Sequence, residues 1–207
     1  LGMWIGDALA MPAHWYYNRS ALERDYGRIV DFLAPKEPHP DSILWRSRWD
    51  APVGVPDILG EQRRHWGQRG VHYHRNLQPG QPTLTGQFAA EVWASLQNRD
   101  GFDSRDVLMR YVALLSHPER HCDTYLEECH RGFFTNLARG LPPTKCAVKE
   151  KHVGGLVAML PVALYYSGNS ETGRANALSQ LALTHAGSKM KTAAEAILAL
   201  LYHVLDG

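Results

Sequence analysis

From residue 83 to residue 205 the apolar side chains recur at helical spacing, and no stretch alternates in the way a half-buried strand does. That pattern predicts an all-α fold, a compact bundle of several packed helices. Phe88, Val92, Trp93 and Leu96 stripe the first of them. Ser104 stands where an N-cap belongs, ahead of an apolar face made by Val107, Leu108, Tyr111, Leu114 and Leu115. Asp123 opens the next helical run, and Gly140 with Pro142-Pro143 closes it. Residues 155–166 are apolar nearly all round, which predicts a buried central helix kinked at Pro161. Residues 176–183 and 189–205 complete the set, and no internal repeat is visible.

The chain ahead of residue 83 is of a different kind. Residues 31–82 are dense in Pro, Gly and His and carry no sustained period. Long irregular stretches are uncommon inside compact domains and are often functional. Before them, Leu1, Ile5 and Leu9 mark an apolar helix that Pro12 stops, and His14, Trp15, Tyr16 and Tyr17 follow at once. This apolar helix carries one carboxylate, Asp7. A buried charge is costly without a partner, so Asp7 either meets one at the helix end or faces a pocket. Ser20 is placed to cap a short helix that Gly27 closes.

At 207 residues the chain is long enough for one domain with a sizeable core. A net charge of +1 gives no electrostatic case for nucleic acid or an anionic membrane. No apolar run is long enough to span a bilayer, and the opening helix, with Asp7 inside it, is no signal peptide. Cys122, Cys129 and Cys146 are odd in number and form no CxxC pair, which points to reduced thiols and a cytoplasmic setting. His121, Cys122, Cys129 and His130 are a conceivable zinc set, but their spacing matches no common structural pattern. The chain begins without Met inside a helix and stops just past another, so both ends read as cuts.

The order Gly6-Asp7-Ala8-Leu9-Ala10, Pro12, then His152, Gly154, Gly155, Leu156 and Pro161, then Thr184-His185, resembles the ADP-ribosylglycohydrolase family over nearly the whole chain. The run His14-Trp15-Tyr16-Tyr17 is most similar to the branch that includes the J1 crystallins of jellyfish eyes. The resemblance implies a helical bundle, a cleft for an ADP-ribose-like small molecule, cleavage of its glycosidic bond, and a pair of magnesium or manganese ions. It also implies that a Thr-Asp-Asp-Thr segment at a helix start supplies half of the metal ligands, and an Asp-x-Asp-Thr element near the C-terminus the other half. Here the first half aligns with Thr83, Leu84, Thr85 and Gly86, with both carboxylates replaced, and the second half does not occur before Gly207. A third departure is His14, standing where active members often carry a Glu. All three changes remove anionic oxygen. The expectation is a degenerate metal site with no cofactor unless a segment beyond Gly207 restores ligands.

Asp7 and His14 are the candidate catalytic residues. The candidate ligand contacts are Trp15, Trp45 and Arg46 for stacking and phosphate, His72 and His74 flanking Tyr73, and His152 at a helix N-terminus able to receive an anion. Two functions follow. One is a non-canonical or inactive relative that keeps the fold and a nucleotide-sized cleft, favoured by Leu84 and Thr85. The other is a hydrolase of ADP-ribosylated or related substrates acting through His14 and Asp7, favoured by the crowd of His, Trp and Arg in residues 31–82.

Overall fold

The computed structural model of the chain describes residues 1–117, 119–149 and 152–206. It is an all-α bundle. Helices α1 (Gly2–Ala10) and α2 (Arg19–Tyr26) come first, and α3 (Leu84–Arg99), α4 (Ser104–Ser116) and α5 (Glu128–Ala138) follow the irregular stretch. Then come α6 (Gly155–Tyr165), α7 (Ser170–Ala182) and α8 (Ser188–Leu205). The only strands among the described residues are β1 (Val148–Lys149) and β2 (His185–Ala186), paired in parallel with Val148 opposite His185. None of the described helices is long and apolar enough to cross a membrane.

The apolar helix expected at the centre is α6, packed against α3, α7 and α8, with Pro161 inside it. Leu156, Ala158, Met159, Val162 and Ala163 are buried in the main core, but the last turn emerges and leaves Leu164 exposed. Helix α8 lies close to both α6 and α7: the Tyr202 hydroxyl donates to the Ala163 carbonyl of α6 at 2.7 Å, and a Cβ at Gly173 of α7 would lie 1.7 Å from that hydroxyl oxygen.

Four helix starts differ from the sequence expectation. Asp103, not Ser104, caps α4 through the N–H groups of Arg105 and Asp106, and Asn18, not Ser20, caps α2 through that of Ala21. Helix α5 begins at Glu128, five residues after Asp123, because Asp123 is drawn away into a long-range contact. Helix α7 begins at Ser170 instead of 176, capped by Asn169.

Residues 31–82 hold only short 3-10 turns, at Leu44–Arg46 and Gly60–His65, yet polar contacts tie them together. Glu37 accepts from the His72 N–H at 2.9 Å and pairs with Arg75 at 3.1 Å. The His39 N–H donates to Gly70 O at 2.7 Å, and the Ile43 N–H to the Tyr73 hydroxyl at 2.8 Å.

Candidate functional site

A cavity of about 370 Å³ opens where the end of α1, the start of α3, the segment before α5 and the start of α6 converge. Asp7, His14, Trp15, His74 and His152 line it, together with Thr83, Leu84 and Thr85.

Helix α1 sets the first wall. Asp7 lies across the start of α3, where its Oδ2 accepts from the Thr83 N–H at 2.6 Å and its Oδ1 from the Thr83 hydroxyl at 2.9 Å. The carboxylate thus satisfies a backbone donor that a helix start leaves open. A Cβ on Gly86 would sit 2.6 Å from Asp7 Oδ2, so only glycine lets α1 and α3 come this close. Trp4 reinforces the contact by donating from Nε1 to Gly86 O at 2.9 Å. Burial raises the Asp7 carboxyl above its usual range, against the opposing pull of the two Thr83 bonds.

Pro12 ends α1 in a 3-10 turn, and the chain reverses so that His14 and Trp15 face inward. Trp15 has a φ of 60°, a left-handed conformation that costs a large side chain energy and persists only where neighbours enforce it. Those neighbours are aromatic. Tyr73 and Tyr125 meet Trp15 edge-on at 4.1 and 5.1 Å between ring centres, and His74 stacks on it at 5.8 Å.

Three residues from distant parts of the chain then join in a row. His14 Nδ1 lies 2.8 Å from His74 Nε2, and His74 Nδ1 lies 2.7 Å from Asp123 Oδ1. Asp123 is fully buried, and its Oδ2 accepts from the Leu84 N–H at 2.8 Å. Burial alone would push its carboxyl up, but His74 and the Leu84 N–H outweigh that and hold it below the usual range. An ionised carboxylate only accepts, so His74 carries its hydrogen on Nδ1 and offers Nε2. With His74 Nε2 bare, His14 donates from Nδ1 and keeps an acceptor at Nε2, and the His14 ring lines the cavity. Burial, with His74 adding to it, lowers the His14 imidazole to about 4, so at neutral pH it is uncharged.

The other sequence candidates divide. His72 is fully buried below the cavity, where its Nδ1 accepts from the His74 N–H at 3.0 Å and its Nε2 lies 3.0 Å from Pro12 O. It braces His74 against the α1 turn instead of lining the cavity. Trp45 lies outside the cavity lining between two guanidinium groups, Arg46 at 4.6 Å and Arg69 at 3.8 Å from its ring centre, and Arg46 itself is exposed. His152 lines the wall at the start of α6, beside Val153 and Gly154. The four-residue zinc set is not assembled: Cys122 Sγ donates to Asn76 O at 3.7 Å, whereas the Tyr111 hydroxyl lies 2.7 Å from His130 Nδ1.

Asp123, Tyr125, Glu127 and His130 also line the cavity, and no sequence signal marked them as ligand contacts. Asp123 was legible only as a local helix start, and nothing in its neighbourhood signals a bond to a histidine 49 positions earlier.

A model of the ADP-ribosylglycohydrolase family matches residues 1–207, the whole of the chain. The chain belongs to the ADP-ribosylglycohydrolase family. No curated protein matches it. In this member of the family, the stretch Thr83–Gly86 offers two hydroxyls and no carboxylate at the start of α3. The nearest acids are Asp7 and Asp123, whose oxygens already accept from Thr83, His74 and the Leu84 N–H.

Proposed function

We propose that the chain binds an ADP-ribose-like molecule in the cavity and hydrolyses its N- or O-glycosidic bond with His14 as general base. The observation that carries this reading is the row Asp123–His74–His14, whose last imidazole lines the cavity. Family membership supplies the substrate class. The donor set at the start of α3 does not fit a pair of magnesium or manganese ions, because two hard cations need several uncommitted carboxylate oxygens. No step is therefore assigned to them.

The two imidazoles divide the work. His14 Nε2 takes a proton from water as the water oxygen bonds to the anomeric carbon and the glycosidic bond breaks. The Nδ1 proton of His14 passes to His74 Nε2, so the positive charge comes to rest on His74 against the Asp123 carboxylate. That transfer suits a His14 that is itself hard to charge. Asp7 lends negative charge to the cationic sugar that develops, and the departing group takes its proton from solvent. Trp15, pinned by its aromatic neighbours, offers a flat face for the base or sugar.

The test is release of ADP-ribose from an ADP-ribosylated peptide, with chelator present throughout. Wild type should turn over, His14→Ala should lose at least about a hundredfold in kcat, and Asp123→Asn should fall similarly. The lack of carboxylates in Thr83–Gly86 favours a second reading, a relative that binds without turnover. It would be adopted if ADP-ribose bound in a His14-dependent way and no product formed.

A further inference from the structure

Across the cavity from the His14 row lies a second group of side chains that the proposed reaction does not use. Glu127 immediately precedes α5 and lines the cavity, Cys129 is the second residue of that helix, and His185 belongs to β2. One ligand atom from each lies within 4.8 Å of the other two, and Cys129 Sγ is 3.8 Å from Glu127 Oε2. Cys129 and His185 are buried, and Glu127 is half-buried at the cavity wall.

The backbone opposite makes room for these groups. A Cβ on Gly154 would come within 2.9 Å of Glu127 Oε2, and one on Gly155 within 2.5 Å of His185 Nδ1. Neither glycine has a positive φ, so neither is needed for backbone conformation. Space for the two ligand side chains is what glycine provides at both positions. The His185 ring is fixed as well, by its place in the parallel β1–β2 pair and by the Thr184 hydroxyl 2.8 Å from Nδ1. Metal-bound imidazoles are ordinarily oriented by such a contact on the second ring nitrogen.

We propose that Glu127, Cys129 and His185 form a site for one zinc-type divalent cation, with its fourth position open to the cavity through Glu127. One sulfur, one nitrogen and one oxygen donor suit a borderline-soft ion and do not suit magnesium. Three protein ligands and an open position make the arrangement of a site that binds water or a substrate oxygen, not of a closed structural site. The proposal stands apart from the His14 chemistry, and its test needs no turnover.

Cobalt(II) and zinc(II) are titrated into the purified protein, with magnesium in excess as the control. Wild type should take one equivalent of either ion, and the cobalt form should show thiolate-to-metal charge-transfer absorption. Cys129→Ser should abolish that absorption, Cys122→Ser should leave it intact, and Glu127→Gln should weaken zinc binding by about tenfold or more. Circular dichroism checks that Cys129→Ser is folded; if it is not, the half-buried Glu127→Gln decides on affinity alone. Absence of binding to folded wild type, displacement by magnesium, or a cobalt spectrum that survives Cys129→Ser would each overturn the site.

Discussion

Asp123 holds two unlike partners at once, an imidazole N–H on one oxygen and the Leu84 backbone N–H of α3 on the other. An asparagine in its place has one acceptor and one donor, so it cannot serve both. It either leaves the Leu84 N–H facing another donor, or keeps that bond and turns the amide N–H towards His74. In the second case the hydrogens along His74 and His14 reverse and His14 Nε2 becomes a donor. Asp123→Asn should therefore cost about 1–3 kcal/mol in urea denaturation, and nitrogen NMR of the imidazoles should report changed tautomers or an α3 start that has lost protection. At this scale the sequence was half legible. A carboxylate on an apolar helix demands a partner, which located Asp7 as a contact-maker, but a partner 76 positions away in Thr83 leaves no local trace. His72 shows the reverse: in an extended chain it would point to the same side as His74, but the loop is not a strand, and the two rings serve different neighbours.

Helices are where periodicity speaks most plainly, because burial of a stripe repeats within the element itself. The apolar stripes on α3 and α4 and the extents of α6 and α8 were readable for that reason. The caps were not: Asp103 and Asn18 compete with adjacent Ser104 and Ser20, and geometry, not residue type, selects between them. Two substitutions test the packing. Ala158 is almost fully buried on α6, so Ala158→Asp should destabilise by several kcal/mol, read as a fall in thermal midpoint. Gly173 lies inside α7, where Ala ordinarily adds roughly 0.5–1 kcal/mol of helix stability. Here the new methyl overlaps the Tyr202 hydroxyl, so Gly173→Ala should lower the melting temperature, and adding Tyr202→Phe should recover part of the loss.

Over the whole molecule the histidines decide the response to acid. Burial lowers His72 to about 3 and His14 to about 4, and His39 and His121 shift the same way. An unfolded imidazole takes its proton near 6.5, so between there and the folded values the unfolded chain binds more protons. Stability is then full above about pH 6.5 and declines as pH falls towards 3. By pH 5, His72 alone accounts for up to about 2 kcal/mol, and urea midpoints at pH 7.5 and 5 should differ accordingly while the helical content at pH 7.5 and 5 without urea stays the same. His14 adds to this, lowered first by burial and then by His74, with Asp123 opposing. The bundle itself was readable in the sequence; the ordering of residues 31–82 was not, because Glu37, His39 and Tyr73 find their partners through loops without period.

The row of Asp123, His74 and His14 spans separations of 49 and 60 positions. Closing loops of that length is slow compared with winding a helix, so the cavity is among the last things this chain completes. Refolding from urea should restore helical circular dichroism before the part of the tryptophan fluorescence that Trp15→Phe removes, which reports only once all three segments have met. A newly made chain would thus be helical and compact before its cavity existed, and any molecule that fits the cavity would recognise only chains that had finished folding.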